Sequence, residues 1–171
     1  LLVTVLALLA TDALSRWHLR IRYLLVDEYQ DTNSGQYKLV QLLVGNRSGL
    51  TVVGDDDQSI YRWRGARVEN LHQFQRDYPN TQVFRLEQNY RSTTTILNAA
   101  NAVIKNNARR RAKSLWSQKG AGSKIALRAY ETDEDEAREL VAAIEFARLA
   151  HRTPWADNAI LFRTNIQSRP I

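Results

Sequence analysis

Tyr23-Leu24-Leu25-Val26-Asp27-Glu28-Tyr29-Gln30-Asp31-Thr32-Asn33 is the stretch from which the rest of the chain is read. With Ile21 ahead of it, it is a short apolar run ending abruptly in two carboxylates, the pattern of a buried parallel strand that reaches the edge of its sheet. Open α/β sheets bind their ligands at that edge. Asp and Glu are poor strand formers and costly to bury alone, so the pair requires a partner such as solvent or a metal ion. Magnesium suits it: in nucleotide hydrolases an Asp at this place holds the ion through oxygen, and a neighbouring Glu orients and deprotonates the attacking water. Apolar strands followed by Asp-Glu also occur without any function, so the residues that follow decide the matter.

They repeat the design. Asn33-x-x-Gln36 has the spacing of a capping box, and Tyr37, Val40 and Leu43 or Val44 recur at helical spacing up to Gly45, so a helix follows the first strand. Asn46 to Gly49 reads as a turn. Leu50-Thr51-Val52-Val53 is a second apolar run, stopping at Gly54-Asp55-Asp56-Asp57-Gln58. Two such strands in a parallel sheet deliver their acidic and amide groups to one rim. Ser59 to Arg67 then interleaves Tyr61 and Trp63 with Arg62, Arg64 and Arg67. Aromatic faces stack on unpaired bases at roughly 1–3 kcal/mol per base while arginines hold phosphates; the competing explanation is that Tyr61 and Trp63 face a core together.

Composition sets wider bounds. At 171 residues, 44% hydrophobic and 25% charged, the chain suits one large or two small globular domains. A formal charge of +6 and a pI near 9.8 favour a polyanionic partner. The lack of cysteine removes disulfides and thiolate metal sites and fits a reducing cytoplasm, and the three histidines are too scattered for zinc. Leu1 to Ala10 is apolar but too short to span a bilayer and has no basic segment before it, so no membrane role is expected. Met is absent, and the chain reads as a piece of a longer protein whose first residues are a core helix cut at its start. His18 reads as a surface or packing residue.

Further along, Leu71, Phe74 and Tyr78 share one face of a helix ending at Pro79-Asn80, and Gln82 to Leu86 reads as a strand. Ser92 is a candidate N-cap for a helix bearing Ile96, Ala99, Ala100, Val103 and Ile104. Arg109-Arg110-Arg111-Ala112-Lys113 is a basic run whose ordinary reading is a solvated face. Lys124 to Tyr130 reads as a strand, Asp133 to Glu136 as the acidic start of a helix, and Ala159 to Phe162 as another buried strand.

The motifs Asp27 to Asn33, Val53 to Ala66 and Leu86-Glu87-Gln88-Asn89-Tyr90-Arg91-Ser92 together resemble helicase motifs II, III and IV of the UvrD/Rep/PcrA branch of superfamily 1. Ala159 to Arg169 also resembles a later segment of that family. The resemblance implies an α/β fold of RecA-like parallel sheets flanked by helices. Residues 1–86 would be the C-terminal part of a first, ATP-binding domain, and 87–171 the N-terminal part of a second. It further implies an ATP-driven motor moving 3′ to 5′ on single-stranded DNA and opening duplexes at single-strand junctions, with DNA repair or replication proteins as partners. Asp27 would hold Mg2+ together with Glu28, and Glu28 would be the general base. Gln58 would sense the γ-phosphate, Tyr90 stack on adenine, and Arg91 serve as an arginine finger. Tyr61, Trp63 and Arg64 match DNA-contacting residues, and Arg163 and Asn165 match a segment on the DNA backbone.

Two features depart from the family. Arg62 stands where a small residue is common, and no G-x-x-x-x-G-K-[ST] phosphate loop occurs anywhere in the chain. The 171 residues alone are therefore expected to be inactive. The alternative is a truncated or degenerate module that only binds DNA or a partner. A nuclease-like metal site at Asp55 to Asp57 is a weaker option, because consecutive side chains of an extended strand cannot all point at one ion.

Overall fold

Lys124 marks the start of the second of two compact units, 1–123 and 124–171, into which the computed structural model divides. It describes residues 2–9, 11, 13–45, 49–107 and 110–171. Most of the expected turn at Asn46 to Gly49, and Arg109 of the basic run, lie outside the described residues.

Helices α1 (Leu2–Leu9) and α2 (Ala13–Arg20) precede strand β1 (Leu24–Val26). A 3-10 turn, Tyr29–Asp31, leads to α3 (Ser34–Val44), whose start is fixed by the expected capping box. Asn33 Oδ1 accepts from the Gln36 amide and Gln36 Oε1 from the Asn33 amide, both at 2.9 Å. The helix stops at Gly45, which has φ +58°, a conformation glycine adopts without the Cβ penalty. The ring of His18, on α2, bonds the Leu42 carbonyl at 2.7 Å and so ties α2 to α3.

Strand β2 (Leu50–Val52) lies parallel to β1 in the register Leu24↔Leu50 and Val26↔Val52. Parallel neighbours in that register bring both carboxyl ends to the same rim, and the helix between them makes the β-α-β crossover of an α/β fold. The core beneath the sheet is Tyr29, Val40, Val44 and Phe74, with Leu24, Val26, Leu50, Val52, Leu71 and Tyr78 packed against it. Phe74 comes from α4 (Glu69–Asp77) and meets Tyr29 edge-on at 5.6 Å between ring centres, a favoured aromatic geometry.

The structure corrects several expectations. The first strand is not buried on both faces: Leu25 is 72% exposed while its neighbours are half-buried. Gln82 to Leu86, Lys124 to Tyr130 and Ala159 to Phe162 form no ladder among the described residues, although all three run without helix or turn over most of their length. A strand exists only against a partner that takes its N–H and C=O groups, and apolar patterning reports burial preference without supplying one. Helix α5 (Thr94–Ile104) begins after Thr93 rather than Ser92, whose amide is instead held by Asn89 Oδ1 at 2.7 Å.

In the second unit, α6 (Asp133–His151) has Asp133, Glu134, Asp135 and Glu136 in its first turn and Thr132 accepting from the Asp135 amide at 3.1 Å. Acidic groups there complement the helix dipole.

Candidate functional site

The rim is assembled by the backbone first. Val53 N–H donates to the Val26 carbonyl at 2.8 Å and Tyr29 N–H to the Val53 carbonyl at 2.9 Å, so the pairing continues past the strand ends. Asp27 and Glu28 sit in that step, both exposed. Glu28 takes a left-handed conformation, φ 48° and ψ 43°, which an L residue with a Cβ adopts only at a cost. Its amide is held by Asp27 Oδ1 at 2.8 Å.

Gln30 is the hinge pin of the site. It is 1% exposed, and its side-chain amide is used at both ends. Nε2 donates to Glu28 Oε2 at 2.7 Å, and Oε1 accepts from the Asp55 amide at 3.0 Å. Such close approach needs glycine at position 54, where a Cβ would lie 3.0 Å from Gln30 Oε1. Asp55 continues the chain: it accepts from the Asp57 amide at 3.0 Å and from Gln58 Nε2 at 2.7 Å. A continuous path of hydrogen bonds thus runs from Glu28 through Gln30 and Asp55 to Gln58. The sequence assigned no role to Gln30, a polar residue between Tyr29 and Asp31.

The carboxylates of Asp27 and Glu28 have no ion-pair partner among the described residues. Burial, and then the charge of Glu28, hold the Asp31 carboxyl above the ordinary range. Carboxylate oxygens with surplus negative charge and no cationic side chain on them are the donor set that a hard divalent cation takes, so these residues fit magnesium.

The acidic triplet behaves differently. Residues 56–58 form a 3-10 turn rather than an extended strand, and carboxylate oxygens of Asp55, Asp56 and Asp57 lie within 4.8 Å of one another. The geometric objection to convergence is thereby overturned, yet a cation already stands there. Lys113 Nζ contacts Asp55, Asp56 at 2.9 Å and Asp57 at 3.2 Å. Arg110 forks onto Asp57 at 2.8 and 2.9 Å. The basic run is accordingly not a solvated face. Burial works against the charges of Asp55 and Asp56, but their bonds to Lys113, to Gln58 and to the Arg111 amide outweigh it and hold both carboxyls below the usual range.

Tyr61, Trp63 and Arg64 form an open cluster. Trp63 is 68% exposed, which excludes the core explanation, and the Arg64 guanidinium lies 5.2 Å from the Tyr61 ring centre and 4.6 Å from that of Trp63. Arg62 begins the short 3-10 turn that carries them.

Tyr90 is 73% exposed and its hydroxyl bonds Gln88 at 2.9 Å. Asn89 Oδ1 receives the amides of Arg91 and Ser92, fixing the backbone there, while the Arg91 guanidinium has no hydrogen-bond or ion-pair partner among the described residues. Neither residue forms a hydrogen bond or ion pair with Glu28 or Gln58 among the described residues. Arg163 and Asn165 belong to the second unit; both are exposed, and Gln167 Oε1 accepts from the Arg163 amide at 2.8 Å beside a 3-10 turn, Asn165–Ser168.

A parallel β-α-β unit with carboxylates free of ion pairs on its carboxyl rim places the chain among the α/β proteins, whose open sheets take ligands at the strand ends. Residues 1–79 match the UvrD/REP helicase N-terminal domain and residues 84–171 the UvrD-like helicase C-terminal domain, so the chain belongs to the UvrD-like helicase family. It is 49% identical over 162 residues to the ATP-dependent DNA helicase PcrA of Leuconostoc citreum, covering 95% of this chain and 22% of that protein. It is 49% identical over 169 residues to the ATP-dependent DNA helicase Rep of Salmonella typhimurium and 48% identical to Rep of Escherichia coli, covering 99% of this chain and 25% of each. The chain therefore spans about a quarter of the length of the curated relatives it matches.

Proposed function

We propose that these residues supply the water-activating and phosphate-sensing half of the ATP site, and part of the DNA track, of an ATP-dependent 3′–5′ DNA helicase. The observation that carries the proposal is the hydrogen-bond path from Glu28 through Gln30 and Asp55 to Gln58 along one sheet rim. A base held by the buried Gln30 amide and a γ-phosphate sensor held by Asp55, whose backbone is bonded to that same amide, would respond together to a single nucleotide.

In this reading Asp27 and Glu28 hold magnesium, which when bound neutralises charge on the nucleotide phosphates. Glu28 takes the proton of the attacking water, and its left-handed backbone turns the carboxylate out of the strand direction. Gln58 keeps its carbonyl oxygen for the water and one amide hydrogen on Asp55, which leaves its second amide hydrogen to donate to the γ-phosphate. Arg91, with its guanidinium unengaged, is the group able to swing onto charge developing on the transferred phosphoryl. Tyr90 offers its exposed ring to adenine. Tyr61, Trp63 and Arg64 take bases and backbone of single-stranded DNA, and Arg163 with Asn165 takes a further stretch of backbone. Motif III then begins at ATP and ends at DNA, so that hydrolysis reaches the bases through few residues. We place the residue 86/87 step as the boundary between the two RecA-like domains; it falls just inside the second family match, 84–171, the first ending at residue 79. The cysteine-free composition supports a cytoplasmic setting.

The test is Glu28→Gln in the full-length protein. Binding of magnesium-ATP is expected to persist while turnover falls at least a hundredfold, read by steady-state ATP hydrolysis beside an equilibrium binding assay. Turnover at the parental rate removes Glu28 from its role and the reading with it.

A further inference from the structure

The proposed reaction assigns nothing to the basic run, yet each of its described charged residues is engaged with motif III or its surroundings. Lys113 reaches all three carboxylates of the triplet. Arg110 grips Asp57 and also donates to the Lys113 carbonyl at 3.1 Å. The Arg111 amide donates to Asp56 at 2.7 Å, and its guanidinium to Gln75 at 2.7 Å. These contacts are largely sheltered: the side chains of Lys113, Asp57 and Asp56 are 20%, 9% and 4% exposed.

The same segment continues to motif IV. Leu115 exchanges two hydrogen bonds with the Asn101 side chain of α5, at 2.8 and 3.2 Å. Trp116 accepts from the Asn89 amide at 2.7 Å and donates to the Glu87 carbonyl at 3.0 Å. Lys119 Nζ donates to the Arg91 carbonyl at 3.0 Å. Residues 110–119 are a strap with one end on the loop of Gln58 and the other on the loop of Arg91.

We infer that Lys113 is a positioning residue for Gln58, acting through Asp55, and that the strap it anchors links the γ-phosphate sensor to the arginine-bearing loop. Asp55 accepts from Lys113 through Oδ1 and from Gln58 through Oδ2. One carboxylate is thus shared between the strap and the sensor. Remove the ammonium and three carboxylates within 4.8 Å of one another repel, with Arg110 bonded to Asp57 alone and no side-chain cation left on Asp55. Asp55 is the most exposed of the three and has open solvent to turn into, which leaves the Gln58 amide without its acceptor.

This inference rests on the role proposed for Gln58, and the experiment separates the two. In the full-length protein, Lys113→Met and Lys113→Gln are expected to lower kcat for DNA-stimulated ATP hydrolysis tenfold or more while KM for ATP moves less than threefold. Lys113→Arg, which keeps the charge, recovers most of the rate. The Gln variant keeps a neutral hydrogen-bonding head on a side chain one atom shorter and carries the test if the Met variant does not fold. In a Gln58→Ala background, Lys113→Gln is expected to cause no further loss, because the residue acts through that amide. Parental kcat in the folded variants, or a loss equally large with and without Gln58, overturns the inference alone. Normal turnover by Gln58→Ala overturns the role of Gln58 and this inference together.

Discussion

Tyr29 and Gln30 are neighbours with almost no exposed surface, at 0% and 1%, and they are opposite cases of burial. The Tyr29 hydroxyl has no hydrogen-bond partner among the described residues, and burial first, then Tyr78 and Asp77, push its ionisation far up. Its ring fills the core while its oxygen contributes nothing but a desolvation cost. Tyr29→Phe is therefore expected to leave stability unchanged or raise it by up to about 1 kcal/mol, measured by urea denaturation. Gln30 has both ends of its amide bonded, so Gln30→Leu, similar in size, strands the Asp55 amide and one Glu28 oxygen. That change is expected to cost about 1–3 kcal/mol in the same measurement, and a neutral result would show that the Glu28–Gln58 path does not bear on the fold. Charge made Glu28 legible in the sequence. Gln30 was not, because an uncharged side chain in a 3-10 turn has no periodicity from which its direction can be read.

At the scale of elements, the capping box at Asn33 and the stop at Gly45 were readable because helix ends are local chemistry. The three extended segments were not, since their status depends on partners elsewhere in space. The strap was hidden for the same reason: Lys113 and Asp55 are separated by 58 positions, and a run of arginines looks the same whether it faces water or carboxylates. The clamp sets its own pH window. The Asp55 and Asp56 carboxyls lie below the ordinary 3.8, so their contribution to stability is present above that pH and is lost as pH falls through the lowered values. Burial disfavours the Lys113 ammonium, but its three carboxylate partners raise it above 10.5, so its contribution is complete below that pH and is lost as pH rises through the raised value. The urea midpoint is expected to fall more steeply below pH 4 in the parent than in Lys113→Gln, where the carboxyls lose their cation. Identical acid limbs would detach the clamp from stability.

At the scale of all 171 residues taken together, the absence of a G-x-x-x-x-G-K-[ST] loop from their sequence matters more than any single residue present. Backbone amides and a lysine around the β- and γ-phosphates bind the nucleotide in loop-containing hydrolases, and carboxylates alone cannot substitute for that cradle. The 171 residues on their own are expected to show no DNA-stimulated ATP hydrolysis above the buffer rate in a coupled assay. Appreciable turnover would mean that the nucleotide is held by groups not identified at this rim.

Arg64 leaning on Tyr61 and Trp63 gives the surface an internal placeholder. An exposed cation–π contact is worth about 0.5–1 kcal/mol, less than the roughly 1–3 kcal/mol of a stacked base. In the role proposed for Tyr61 and Trp63, an arriving nucleobase would displace the guanidinium and keep it nearby as a phosphate clasp, so that each step along a strand would exchange one partner of the rings for another.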